Sequence, residues 1–134
     1  MSTAYDYMKI NQIWHLATLE GNQPRVRPFG FVMKRDEKLY FCTGKLKQVY
    51  KQLIKNPDIE ISVMGKDNTW LRVTGKVVMD ESRNAKIQVL EEMPALKRFY
   101  PGGADDENLI TFLMESGKAT LFSFTDAPKE IPLL

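Results

Sequence analysis

Along this chain the hydrophobic pattern is mostly that of strands, interrupted by three helical stretches. Residues 4–11 set Tyr5, Tyr7 and Met8 behind a possible cap at Thr3, which predicts a short helix covering a core. Trp14–Leu19 is extended and closes at the turn Glu20-Gly21-Asn22-Gln23. A second extended segment runs from Arg25 to Lys34, and Leu39–Thr43 is a third, compact and aromatic. Leu46, Val49, Tyr50 and Leu53 then share one helical face, with Lys47, Lys51 and Lys55 directed elsewhere. Asn56-Pro57 ends that helix, because the residue before a proline is pushed out of helical geometry.

Ile59–Val63 alternates with period two, as does the long run Thr69–Met79. The latter puts Leu71, Val73, Gly75, Val77 and Met79 on one face and Trp70, Arg72, Thr74 and Lys76 on the other. Asp80 is placed to cap a helix over Arg83–Met93, which Pro94 ends, and Leu96–Tyr100 is short and helical or irregular. Leu109–Met114 and Ala119–Phe124 read as a hairpin about Ser116-Gly117. Lys129–Leu134 is a docked or frayed end. Six to seven strands with short turns and two or three peripheral helices predict a mainly β fold, a small antiparallel Greek-key barrel in one domain over 1–134.

Composition narrows the chemistry. With 134 residues, 43% of them apolar, a core is available without disulfides or structural metal. Cys42 and His15 are the single cysteine and histidine, so no metal site of the Cys/His type is expected. A serine-histidine-aspartate triad would have to use His15, inside an apolar run, and no phosphate-binding glycine loop or zinc-protease motif occurs. Nineteen Lys and Arg against seventeen Asp and Glu leave a net charge of +2, too balanced for a nucleic-acid binder. The start lacks a secretory pattern and no run approaches the ~20 apolar residues of a membrane span, so a soluble cytoplasmic protein is expected. Redox or group-transfer chemistry here would have to borrow its reactive atom from a cofactor.

Three features suit a flat ligand carrying a phosphate. Arg25, Arg27, Phe29 and Phe31 share one face of an extended segment, and Pro28 puts that segment at an edge or a bulge. Guanidinium groups beside phenyl rings can hydrogen-bond and stack on a planar ring, though an edge strand with solvated arginines has the same pattern. Lys45 and Lys47 fall in a first helical turn, where cations are unfavourable unless an anion joins them; a solvated lysine-rich helix is the plainer alternative. Trp70 and Arg72 point away from the apolar face, marking a partner surface, a ligand cleft or a tryptophan under a helix.

The order of these pieces resembles a known family. Leu16-Ala-Thr-Leu-Glu-Gly-Asn-Gln-Pro-Arg-Val-Arg-Pro-Phe-Gly-Phe-Val32, then Leu39 to Leu53, Asn56-Pro57 and Trp70-Leu-Arg-Val-Thr-Gly75 are similar to the pyridoxamine 5′-phosphate oxidase-like flavoproteins, the FMN-binding split barrels. The likeness implies a six-stranded antiparallel Greek-key split barrel and a homodimer with FMN between its subunits. It further implies an oxidoreductase passing electrons from a reduced nicotinamide through FMN to a small acceptor. A non-catalytic flavin- or haem-binding module is the alternative, and a deazaflavin a third ligand. Carried over by position, Arg25, Val26, Arg27, Pro28 and Phe29 would meet the flavin edge and part of the phosphate. Cys42 and Thr43 would line the ring and ribityl chain. Lys47 and Gln48 stand where the family uses a basic pair for the phosphate; Gln48 is neutral, and Lys45 is the substitute. Trp70 and Arg72 would lie near the site, contributed by the partner. Asp126–Leu134 lacks the Trp and Arg-x-His substrate clamp of the true oxidases, and the nearer likeness is to small bacterial general-stress and nitroimidazole-reductase-like members. That departure argues against vitamin B6 oxidation.

Overall fold

A computed structural model describes residues 2–134. Its strands are β1 (Trp14–Glu20), β2 (Gln23–Phe29), β3 (Met33–Arg35), β4 (Lys38–Gly44), β5 (Asp58–Met64), β6 (Thr69–Asp80), β7 (Leu109–Ser123) and β8 (Lys129–Ile131). Its helices are α1 (Ala4–Asn11), α2 (Gln48–Lys55) and α3 (Arg83–Glu92), with 3-10 turns at Pro94–Arg98 and Gly103–Asp105. One antiparallel sheet runs in the order β2-β1-β5-β6-β7-β4-β3, with β8 added to β7. The fold is the expected split barrel. It has eight strands rather than six, because β3 and β8 each add a three-residue pairing.

Strand β5 alternates exposed and buried along its whole length, as its period-two sequence requires. Strand β4 does not alternate, because both of its faces are covered. Leu39 and Phe41 enter the barrel core with Trp14, Leu16, Ile61, Leu71 and Val73. Tyr40 and Cys42 enter a second cluster with Phe31, Met33, Ala85, Val89, Leu90, Tyr100 and Leu109, beneath α3. The Tyr40 hydroxyl donates to Asp80 at 2.7 Å, tying the end of β6 to this strand.

Several expectations need correction. Ser116-Gly117 is no hairpin, for β7 continues through it for 15 residues. Gly117 lies opposite Gly75 on β6, and a one-residue bulge at Glu115 absorbs the irregularity. A Cβ on Gly75 would run into the Ser116 carbonyl, so glycine serves close backbone approach here, and the chain does not turn. Arg25–Lys34 is not one strand: β2 ends at Phe29, and Phe31 sits off it in the second core cluster. Helix α2 starts at Gln48 with Lys47 as N-cap, which removes Lys45 from its first turn and leaves Leu46 exposed outside the helix. Asp80 does not cap α3; the Ser82 hydroxyl does, accepting from the Ala85 N–H, while Asp80 accepts from the Ser82 N–H.

Thr3 caps α1 with Asp6 in a reciprocal capping box. Its first N–H groups also find partners far away in sequence: Ala4 donates to the Pro132 carbonyl at 2.8 Å and Tyr5 to that of Leu133 at 3.0 Å. The tail is therefore docked.

Replacing Gly75 by alanine should destabilise the fold by about 1–3 kcal/mol, the cost of overpacking against backbone, read as a lower urea midpoint at unchanged slope.

Candidate functional site

At one end of the barrel the close of β2, the close of β4, the start of α2 and the segment after α3 meet around a cleft of about 280 Å³. Arg27, Pro28, Phe29, Phe31, Cys42, Thr43, Lys47 and Tyr100 are among its walls, with Met93 and Leu96 opposite. A second hollow of about 380 Å³ adjoins it, sharing Lys47, Leu96 and Tyr100 and adding Lys45, Leu46 and Phe99. Each wall has a local cause. Edge strand β2 tolerates Pro28, which cannot donate to a neighbouring strand. Phe29 stacks on the fully buried Trp14 at 5.0 Å between centroids, which fixes its ring. Gly44 leaves room for Tyr100, whose hydroxyl would lie 3.1 Å from a Cβ there.

The electrostatics of the cleft are unusual in three respects. Arg27 donates through Nη1 to the Leu16 carbonyl at 3.1 Å and the Thr18 hydroxyl at 2.7 Å, and through Nη2 to Gln52 Oε1 at 2.7 Å. All three acceptors are neutral, and burial pulls the Arg27 pKa below the ordinary arginine value. Its positive charge thus has no carboxylate partner among the described residues. Thr43 Oγ1 is buried without a hydrogen-bond partner among the described residues. Finally, no side chain caps α2, and its first turn holds no acidic residue. That helix end presents free N–H groups beside Lys47, the arrangement that favours an anion.

Cys42 also faces the cleft, but burial pushes its thiol up to about 12, only partly offset by Lys47. It is a wall, and at neutral pH it is not a thiolate nucleophile.

The structure gathers Arg27, Pro28, Phe29, Cys42, Thr43 and Lys47 in the first cleft and puts Lys45 on the adjoining hollow. Within the single chain the other named residues lie outside that cleft. Arg25 pairs with Glu20 at 2.8 Å in the open beside the turn of the β1–β2 hairpin, and Val26 is exposed. Gln48 is exposed at the first position of α2 and lines neither hollow. Trp70 and Arg72 sit on the outer face of β6. There Trp70 stacks on Phe122 at 5.3 Å, while Arg72 lies 4.7 Å over that ring and 3.6 Å from Glu60. His15 is exposed on the outer face of β1. Thr18, Gln52, Met93, Leu96 and Tyr100 were not legible as site residues. Gln52 had a signal: a polar residue on the apolar side of α2, 5% exposed in the structure. Among the described residues, no cluster of His, Cys, Asp and Glu suits a metal, and no helix is long and apolar enough to cross a membrane.

A cleft with a flat apolar wall, a fixed cation and an anion-ready helix end agrees with the resemblance in the sequence. The family model described as pyridoxamine 5′-phosphate oxidase matches residues 8–115. The chain belongs to this family. A NimC/NimA family protein from Clostridium acetobutylicum is 39% identical, covering 96% of this chain and 88% of that one, with a TM-score of 0.89. A pyridoxamine 5′-phosphate oxidase-related, FMN-binding protein from Nostoc punctiforme shares the fold at 19% identity and TM-score 0.65, over 90% of this chain and 87% of that one. A haem-binding protein from Mycobacterium smegmatis shares it at 12% identity and TM-score 0.74, over 98% of this chain and 59% of that one. No curated protein sequence matches the chain significantly.

Burial of Cys42 has a measurable sign. Its folded pKa lies above its ordinary value of 9.0, so the unfolded chain loses this proton first as pH rises. The stabilising contribution is complete below about pH 9 and is lost progressively above it. Urea midpoints between pH 8 and pH 10 should fall more steeply for the native chain than for Cys42→Ala, and a thiol reagent at pH 8 should label Cys42 only after denaturation.

Proposed function

We propose that this chain binds FMN in the cleft between Arg27 and Tyr100 and works as a flavin-dependent oxidoreductase. The observation that carries the reading is the convergence of an un-neutralised guanidinium, an unpartnered buried hydroxyl and an uncapped helix end on one cleft. The residues present fit the cofactor. Lys47 and the first-turn N–H groups of α2 would hold the phosphate, and the Thr43 hydroxyl would find its missing partner on the ribityl phosphate. Phe29, Phe31 and Leu96 offer apolar surface to the ring, and Arg27 offers charge to its polar edge. When bound, FMN supplies the hydride and one-electron chemistry that no side chain of the cleft provides. Arg27 would favour the anionic reduced form, without itself gaining or losing a proton. The electron donor we infer is a reduced nicotinamide or similar molecule, and the acceptor is small.

A homodimer with the cofactor between subunits is part of the proposal. It is supported by apolar side chains left on the surface, Phe124 beside the Trp70–Phe122 stack and Phe99 at the rim of the adjoining hollow. The second reading is a haem module, suggested by the haem-binding protein of Mycobacterium smegmatis that shares this fold. The single histidine lies on the outer face of β1, away from the cleft walls, which favours flavin over a histidine-ligated haem.

Purified protein mixed with FMN should retain the flavin's visible absorption through gel filtration and sediment at twice the 15.5 kDa chain mass. Protein that stays colourless would overturn the reading. Lys47→Glu should weaken FMN binding about tenfold or more, as loss of a charge-assisted phosphate contact predicts, while leaving the melting temperature near native.

A further inference from the structure

Arg27 can serve a ligand only if something holds it, and among the described residues nothing charged does. A guanidinium has five N–H donors and no acceptor. The three bonds to Leu16, Thr18 and Gln52 use three of these donors and leave two free. Because Arg27 only donates, the Thr18 oxygen must accept from it, and the Thr18 proton must go elsewhere. It goes to Gln52 Oε1 at 2.6 Å. The amide oxygen of Gln52 thus accepts from both neighbours, and the triangle has one proton arrangement. Thr18 and Gln52 are each about nineteen-twentieths buried or more, on β1 and α2. Their polar groups are costly in such places unless they are used.

We propose that Thr18 and Gln52 are positioning residues that aim Arg27 into the cleft, and that Gln52 is an amide so that the guanidinium keeps its full charge for the ligand. A glutamate would have the same reach and would hold Arg27 at least as firmly. It would also cancel the charge. The pairing of β1 with β2 sets Leu16 opposite Arg27 and brings Thr18 within its reach, while α2 delivers Gln52 from the same helix whose start faces the cleft. One short helix therefore contributes both its N-terminus and the fixing of the cation. This rests on the FMN reading above, and it adds the requirement that the network be neutral.

The test compares native protein, Thr18→Val, Thr18→Ser, Gln52→Leu and Gln52→Glu, with oxidised FMN and with FMN reduced by dithionite. Gln52→Leu and Thr18→Val should each lose about tenfold in FMN affinity, the size of one bond to a charged group, and Thr18→Ser should restore native binding. Gln52→Glu should bind oxidised FMN within a few-fold of native yet lose about tenfold more affinity for the reduced anion. A structural role would move both forms alike. Folded variants that bind both forms as the native protein does would overturn the proposal, as would a Gln52→Glu loss equal for the two forms. Should Gln52→Leu fail to fold, Thr18→Val, Thr18→Ser and Gln52→Glu, which keep the site polar or nearly isosteric, decide the matter. Native protein that takes up no FMN would fail the cofactor reading first, whereas native uptake with insensitive variants would fail this one alone.

Discussion

The burial of β4 on both faces is the constraint from which the rest of the architecture follows. A strand covered on one side alternates, and one covered on both must be apolar at every position. Lys38–Gly44 meets that demand with Leu39, Tyr40, Phe41 and Cys42 in succession. Two clusters meet along this strand and the start of its neighbour β7, the barrel interior on one side and the layer under α3 on the other. Its end is consequently fixed from both directions. The β4–α2 junction, with Thr43, Gly44 and Lys47, emerges at a defined place and gives the cleft a rigid floor.

The opposite wall follows a different logic. Edge strand β2 has only one hydrogen-bonded neighbour, and its residues are mostly exposed. Precision there comes from side chains: Phe29 against Trp14, and Arg27 against β1 and α2. Half-burying a guanidinium among neutral acceptors costs stability that a carboxylate would offset. An arrangement of that kind, beside an unpaired Thr43 hydroxyl, is what a binding site looks like when its ligand supplies the missing partner.

Much of this was readable in the sequence, for identifiable reasons. Period-two alternation placed β5 and β6, and the aromatic run placed β4. Arg27 and Phe29 were found because a cation beside a ring fits neither core nor solvent. What was missed depends on contacts between distant segments. Gly117 in an extended strand has the same letter as glycine in a turn, and only Gly75 opposite it tells the two apart. Arg25 and Arg27 are two residues apart on one strand, yet Glu20 holds the first in the open and Gln52 the second in the cleft. Trp70 points away from the apolar face of β6 as its alternation predicts, but its neighbours Phe122 and Phe124 come from beyond that strand, out of reach of a local pattern. Met93, Leu96 and Tyr100 close the cleft from a region without a periodic pattern.

The docking of residues 132 and 133 on the start of α1 has a consequence for the order of folding. Two N–H groups in the first turn of α1 receive their partners from a segment more than a hundred residues away in sequence. Closing so long a loop costs conformational entropy before any contact repays it. The start of α1 is therefore completed only when the segment that follows β8 is in place beside it.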